Sequence, residues 1–233
     1  MSSPDAYKIV EWEKRLNDQW SDHNCTRITL AAIGTANAGK TCFLYRLLHG
    51  KFDAKRVSTV SVDFMQKLVM APHPTYDEKM RVTLTDTIGD DRMWHACVAN
   101  LKRAQGVFLC FDMADQESFS DCKNWIKLLR GENTYAVCML VGLKSDKYDE
   151  LPADEKWMEQ VDLRHEATKL GCIDSVCRVS SKLNTGTAEA LMRLIDAVRE
   201  NEDEFADIPT RDGETGPIDI AQAKRADTKK CCN

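Results

Sequence analysis

The sequence predicts an α/β domain in which a mainly parallel sheet of six strands carries helices on both faces. Strand-like segments alternate with helical ones between residues 25 and 200, which is typical of a parallel sheet. Two segments, 107–111 (VFLCF) and 136–141 (AVCMLV), are continuously apolar, as expected for strands buried on both faces. The length of 233 residues suits one such domain with tails.

The first half of the domain combines a strand–loop–helix unit with a hairpin. Its predicted elements are a strand at 27–33, a helix at 41–48, an extended segment at 57–70, a strand at 79–86 and a weakly patterned helix at 93–103. Pro72 and Pro74 mark the turn of the hairpin, and we expect a long loop there.

The second half repeats strand and helix in turn. Its predicted elements are strands at 107–111, 136–141 and 175–180, with helices at 118–129, 154–170 and 187–200. Gly171 is placed to end the middle helix. The last helix carries its apolar residues on one side, as a helix packed on a sheet does.

The two ends of the chain differ from the domain between them. Residues 1–24 form a polar leader, and helical spacing of its apolar residues predicts a short amphipathic helix: Ile9, Trp12, Leu16 and Trp20. The polar face of this helix has no excess of basic residues, which favours packing on the domain over membrane binding. Residues 201–233 are poor in apolar residues and predict a flexible tail.

The composition excludes several classes of protein. A formal charge of −5 argues against a general nucleic-acid surface. The first thirty residues are too charged for a signal peptide, and apolar runs are too short to span a bilayer. The ten cysteines therefore do not predict a disulfide framework, and Cys172 and Cys177 are too isolated to suggest zinc.

A glycine loop joins the first strand to the first helix and predicts phosphate binding. The segment 34–41 (GTANAGKT) fits GxxxxGK[ST], with backbone N–H groups and a helix N-terminus directed at one point. Lys40 is expected to reach the outer phosphates, and the Thr41 hydroxyl to hold Mg²⁺. The predicted contact residues are Gly34, Thr35, Ala36, Asn37, Ala38, Gly39, Lys40, Thr41 and Cys42.

The residues after the last two strands predict a guanine site. The segment 143–146 (LKSD) follows the fifth strand, on the sheet edge where ligands bind in such folds. The Asp146 carboxylate can accept both the ring N–H and the exocyclic amine of guanine, a donor pair that adenine lacks. The stem of Lys144 can cover the base. Ser180, Ser181 and Lys182 can bring a backbone N–H to the guanine carbonyl.

A third group of residues suits the metal and the terminal phosphate. Asp86 follows the third strand and can hold Mg²⁺ through water, and the N–H of Gly89 can face a γ-phosphate. Thr59 lies in the extended segment and can supply a second hydroxyl to the metal.

These motifs, taken in order, resemble those of Rab proteins in the Ras superfamily. Besides the loop, STVSVDF (58–64), DTIGDD (86–91), DMADQESF (112–119), GLKSD (142–146) and SSK (180–182) are similar to Rab segments. The resemblance covers about residues 27–200 and implies a P-loop GTPase domain that binds GTP or GDP with Mg²⁺ and acts in intracellular vesicle trafficking. It makes Thr59 the switch threonine and Phe52 the aromatic residue at the guanosine edge. Lys40, Gly89 and Asp90 are the implied catalytic residues.

Four departures from the family pattern predict slow hydrolysis and, through Leu143, looser nucleotide binding. Asp90 replaces the glutamine that orients the attacking water, and Ala36 replaces the second loop glycine. Ile88 puts a larger side chain beside the γ-phosphate, and Leu143 replaces the asparagine of the guanine motif.

The resemblance also implies a membrane anchor at Cys231 and Cys232, because Rab proteins typically end in two geranylgeranylated cysteines. One lipid chain binds membranes only marginally, and two bind stably. Basic residues precede the pair and favour an anionic leaflet: Lys224, Arg225, Lys229 and Lys230. The expected location is the cytoplasmic face of an intracellular membrane, with a cytosolic pool. The implied partners of this monomer are an exchange factor, a GTPase-activating protein, effectors and escort proteins.

Two other classes stay open. A GTP-binding pseudo-enzyme that serves as a membrane-tethered scaffold is favoured by Asp90, Ala36 and Leu143. A P-loop kinase ranks last, because the sequence shows no arginine-rich lid and leaves Lys144 and Asp146 without a role.

Overall fold

The protein folds around one seven-stranded sheet. A computed structural model describes residues 8–9, 26–54, 63–72 and 77–201, with side chains for 26–54 and 80–201. The strands are β1 (Lys8–Ile9), β2 (Thr26–Ile33), β3 (Asp63–Pro72), β4 (Asp77–Asp86), β5 (Gly106–Asp112), β6 (Val137–Leu143) and β7 (Val176–Val179). Their order is β1-β3-β4-β2-β5-β6-β7. Five strands, β2 and β4 to β7, pair in parallel, and at one edge β3 pairs antiparallel with both β4 and β1.

The predicted α/β class and mainly parallel sheet are confirmed, and the six predicted strands are all present. The seventh strand, β1, comes from the leader and pairs Lys8 and Ile9 with Met70 and Val69. The prediction that Ile9 lies in a helix is therefore wrong, because its backbone extends a sheet edge. The rest of that predicted helix, residues 10–25, lies outside the described residues.

The hairpin is confirmed, but its predicted long loop is wrong. The β3–β4 pairing continues from Asp63 opposite Asp86 to Pro72 opposite Asp77. Pro72 is the last residue of its strand, where a missing N–H is tolerated. The added length therefore extends the two strands, and only residues 73–76 connect them.

Helices cover both faces of the sheet, as predicted. They are α1 (Lys40–His49), α2 (Trp94–Leu101), α3 (Gln116–Ser120), α4 (Cys122–Glu132), α5 (Ser145–Asp149), α6 (Leu163–Lys169) and α7 (Thr187–Glu200). Buried side chains of α1 and α7 form one core with the sheet. Side chains of α2, α4 and α6 form a second core on the opposite face.

Two predicted helices are interrupted. The helix predicted at 118–129 is two helices, α3 and α4, which meet at Asp121. The helix predicted at 154–170 becomes two 3₁₀ turns and α6. Val161 is extended, and the Asp162 side chain caps α6 by accepting from Arg164 and His165. The Trp157 indole donates to Met113 and packs on Phe119, so tertiary contacts override a continuous helix here.

Across the part of the chain that the structure describes, seven cysteines are free thiols. Burial raises the pKa of Cys110 to about 12 and that of Cys138 to about 11. Both therefore behave as small apolar core residues, as predicted for cysteines in buried strands.

None of the described helices combines the length and the apolar character needed to cross a membrane.

Candidate nucleotide-binding site

The glycine loop lies between β2 and the N-terminus of α1. Gly34 and Gly39 have φ angles of +138° and +107°, a region that favours glycine. A Cβ on Gly34 would lie 2.1 Å from the carbonyl oxygen of Cys110 in β5. The loop is therefore pressed against the neighbouring strand at its first residue, and only glycine fits there.

The Lys40 side chain bonds to the backbone of the glycine loop. Its Nζ donates to the carbonyl oxygens of Gly34 and Thr35, each at 2.8 Å. The residue is 5% exposed, and this burial lowers the pKa of the amine. A cation held in a glycine loop at a helix N-terminus is suited to a phosphate chain.

The two described residues of the predicted metal site lie together. The Thr41 hydroxyl donates to Oδ2 of Asp86 at 2.6 Å, across the gap between α1 and the end of β4. Hydroxyl and carboxylate oxygens suit Mg²⁺, which keeps several waters and binds few protein ligands. No group of three or more His, Cys, Asp or Glu side chains that could hold a metal occurs in residues 26–54 and 80–201. The predicted third ligand, Thr59, lies outside the described residues.

Residues 87–93, which we call the β4–α2 segment, begin against the glycine loop. A Cβ on Gly89 would lie 2.5 Å from both Nζ of Lys40 and the backbone N of Ala36. The Thr87 hydroxyl fixes the start of the segment by donating to Ala32 at 2.6 Å. Ile88 is 7% exposed and belongs to the second core, so its added volume is taken up by packing.

Asp90 turns toward its own segment. Oδ1 accepts from the backbone N and Nε of Arg92, at 3.0 and 2.9 Å, and Oδ2 accepts from a terminal guanidinium nitrogen at 2.6 Å. These bonds lower the pKa of the Asp90 carboxyl. The residue that replaces the family's glutamine is thus an ionised carboxylate whose partner is a surface arginine two residues away.

The predicted guanine residues converge at the ends of β6 and β7. Asp146 lies in the first turn of α5, and its Oδ1 accepts from the Ser180 hydroxyl at 2.5 Å. Nζ of Lys182 is 4.0 Å from Oδ2 of Asp146, and the carboxylate is only 10% exposed. Residues 180–186, which we call the β7–α7 loop, are closed by a bridge between Ser180 and Thr185.

Lys144 and Leu143 connect this end of the site to the glycine loop. Lys144 is left-handed, with φ of 59°, and its Nζ donates to Oδ2 of Asp112 at 2.7 Å. Its Cε and Cδ1 of Leu143 lie 3.5 and 3.7 Å from the position of a Cβ on Gly39. Leu143 is 1% exposed, so the residue in place of asparagine packs in the core.

The remaining predicted site residues differ in how exposed they are. Phe52 lies after α1 with 37% of its surface exposed, and Cys42 is half-buried in α1. Ala36 and Asn37 are exposed on the glycine loop, and Ala38 is buried. Cys231 and Cys232 lie outside the described residues.

Two residues near the site were missed by the sequence reasoning. Asp112 stood inside a quoted motif but received no role, and it is the partner of Lys144. Arg46 of α1 donates to the carbonyl oxygens of Ser181 and Lys182 in the β7–α7 loop. No sequence signal marks Arg46, because its partners are about 135 residues away and accept through the backbone.

A parallel sheet with a lysine-containing glycine loop and convergent polar residues at its carboxyl edge defines a nucleotide-binding α/β protein. The Ras family model matches residues 29–200. The chain is 32% identical to the Ras-related protein Rab-3D of Homo sapiens, over 80% of this chain and 81% of that protein. It is 30% identical to Rab-27A of Rattus norvegicus, over 73% and 78% of the two chains.

The match to Rab-27B of Rattus norvegicus, at 34% identity, spans 55% of this chain and 63% of that protein. The chain therefore belongs to the Ras family and is a Rab-like small GTPase by descent.

Proposed function

We propose that this protein is a guanine-nucleotide switch of the Rab kind, which binds GTP and GDP and hydrolyses GTP slowly. The observation that carries the proposal is the pairing of Asp146 with Ser180 beside Lys182. A largely buried carboxylate that accepts a hydrogen bond from the β7–α7 loop is suited to the two donors of guanine. The glycine loop with Lys40 supplies the phosphate end of the same site.

The switch rests on the contact of the β4–α2 segment with the glycine loop. Gly89 lies so close to Lys40 and Ala36 that a γ-phosphate in the loop would meet its N–H. Thr41, Asp86 and Thr59 would hold Mg²⁺, which neutralises phosphate charge when bound. Loss of the γ-phosphate would free Thr59 and the β4–α2 segment, and effectors would read the ordered state.

Slow hydrolysis follows from the state of Asp90. A carboxylate accepts hydrogen bonds but cannot donate one, and its charge opposes that of the γ-phosphate. Its bonds to Arg92 hold it away from a water-orienting role.

The same observation favours a second candidate, a GTP-bound scaffold without turnover. A protein whose water-orienting residue is tied to Arg92 and whose loop carries Ala36 would stay in one state. The two candidates share the nucleotide and differ in what becomes of it.

The nucleotide that co-purifies with the full chain tests both candidates. After release by heat and separation by chromatography, GDP supports the switch and GTP retained for hours supports the scaffold. ATP or AMP would contradict both and favour the kinase class.

For the membrane, we propose lipidation of Cys231 and Cys232, with the protein on the cytoplasmic face of an intracellular membrane and a cytosolic pool bound by escort proteins. Changing both cysteines to serine is expected to move the protein wholly into the cytosol. Cys232→Ser alone is expected to leave weak binding, since one chain binds only marginally. Two free thiols in the native C-terminal peptide, found by mass spectrometry, would contradict this proposal.

The remaining partners follow from the switch proposal. An exchange factor would load the protein, a GTPase-activating protein would supply the missing water-orienting group, and effectors would bind the GTP state. The bulk charge and the site both favour nucleotides over nucleic acid as the ligand.

A further inference from the structure

Arg46 joins three parts of the chain through one guanidinium group. Nε donates to the carbonyl of Ser181 at 2.6 Å, and one terminal nitrogen donates to the carbonyl of Lys182 at 3.0 Å. The other terminal nitrogen donates to the carbonyl of Gly50 at 2.6 Å, just after α1. Each guanidinium nitrogen therefore has a backbone acceptor.

Arg46 lies on the same helix, α1, as the predicted phosphate and metal residues. The helix begins at Lys40 and Thr41, the phosphate and metal residues, and Arg46 is half-buried near its other end. The neighbouring Leu47 and Leu48 are buried in the first core and fix the helix against the sheet. The helix is thus a rigid support from which the arginine can reach the β7–α7 loop.

The β7–α7 loop is held from two sides. On one side the Ser180 hydroxyl donates to Asp146 and accepts from the backbone N of Leu183 at 3.1 Å. On the other side Arg46 holds the next two carbonyls. A planar fork of donors matches two successive carbonyls in a way that the single ammonium group of lysine cannot.

We propose that Arg46 is the positioning residue that sets the β7–α7 loop against guanine and links it to the phosphate-binding helix. The proposal rests on the guanine site proposed above. Arg46 touches no nucleotide and acts through the carbonyls of Ser181 and Lys182. Through Gly50 it also fixes the start of the segment that carries Phe52 and leads to Thr59.

The test compares full-length wild type with Arg46→Gln, Arg46→Lys and a matched control, Arg193→Gln. Arg193 lies on α7 and makes two surface bonds, to Glu189 of the same helix and to Ser175 just before β7, neither of which is a proposed site residue. Dissociation of fluorescent GDP is expected to be about tenfold faster in Arg46→Gln, since charge-assisted bonds to two carbonyls are lost. The dissociation rate of Arg46→Lys should lie between those of wild type and Arg46→Gln, and the rate of Arg193→Gln should equal that of wild type.

Amide hydrogen exchange gives a second readout that needs no nucleotide. Arg46→Gln is expected to speed exchange at Leu183 and Thr185 while leaving the amides of α7 unchanged. Faster exchange throughout the domain, or GDP dissociation and loop exchange equal to wild type, would overturn the proposal.

The two readouts keep this proposal separate from the guanine switch itself. A wild type that binds labelled ADP as well as GDP contradicts the guanine site, whereas the exchange comparison still decides whether Arg46 holds the loop.

Discussion

The two ends of the proposed nucleotide site are fixed in different ways. At the guanine end, the Asp146 side chain is 10% exposed and accepts from Ser180 of the β7–α7 loop, and Arg46 of α1 donates to the carbonyls of Ser181 and Lys182. At the γ-phosphate end, the Asp90 carboxylate is 31% exposed and bonds to Arg92, which is 85% exposed.

This contrast bears differently on nucleotide binding, at the guanine end, and on GTP hydrolysis, at the γ-phosphate end. Partners far apart in sequence, held by the core, keep the guanine end in place before any ligand arrives. The pair between Asp90 and Arg92 is exposed and joins residues two apart, so it contributes little to the stability of the fold. This difference supports the proposal that the protein binds a guanine nucleotide and hydrolyses GTP slowly.

The largest effect is expected at the guanine end. Asp146→Asn removes the carboxylate that accepts two guanine donors, so GDP affinity should fall by about a hundredfold or more. Affinity for xanthosine diphosphate should rise, as measured by competition against labelled GDP. Asp149→Asn, an exposed carboxylate paired with Arg178, is the control and should bind like wild type. If ATP competes as well as GTP for wild type, Asp146 does not select guanine.

The next effect concerns the contact between the β4–α2 segment, at the γ-phosphate end, and the glycine loop. Gly89→Ala would place a methyl group 2.5 Å from the backbone of Ala36, so the β4–α2 segment must move away. The preference for a GTP analogue over GDP is expected to fall about tenfold, since one hydrogen bond to a charged phosphate is lost. Gly131→Ala in α4, where a Cβ meets nothing within 4 Å, should leave the preference unchanged. An unchanged preference in Gly89→Ala would show that this glycine does not face the γ-phosphate.

Turnover gives a smaller change. Wild type is expected at or below about 10⁻⁴ s⁻¹, the intrinsic range of related GTPases. Asp90→Gln restores a donor and removes a charge, and single-turnover hydrolysis should accelerate about tenfold. Asp149→Asn, the exposed carboxylate paired with Arg178, is again the control. A wild-type rate well above the intrinsic range would contradict the assignment of Asp90.

The smallest effect is the response to pH. The ordinary pKa of an aspartate already lies below about pH 6, and bonds from Arg92 lower the pKa of Asp90 further, so the carboxylate stays ionised and hydrolysis should be flat between about pH 6 and pH 9. The ion pair is formed above the ordinary carboxyl pKa and is lost as the pH falls through the lowered one. A titration step inside that window that Asp90→Asn abolishes would show that the pKa of Asp90 is raised in the folded protein instead of lowered.

The sequence by itself determined the class of fold and most of the proposed site. Hydrophobic periodicity and continuous apolar segments located β2, β5, β6 and α7 closely. Strands buried on both faces and a helix with one apolar side have clear patterns of apolar residues in the sequence. The glycine loop, Asp86 and Asp146 were recognised because their chemistry depends on local spacing at the ends of strands.

Only the tertiary structure decided the rest. Val161 and Trp157 interrupt a helical pattern because the indole bonds to Met113, which is distant in sequence. The leader adds a strand to β3 because a free sheet edge offers backbone partners that no sequence pattern reveals. Arg46 was invisible for the same reason. Its partners are main-chain carbonyls, which every residue possesses, so only the fold shows which two of them an arginine can reach.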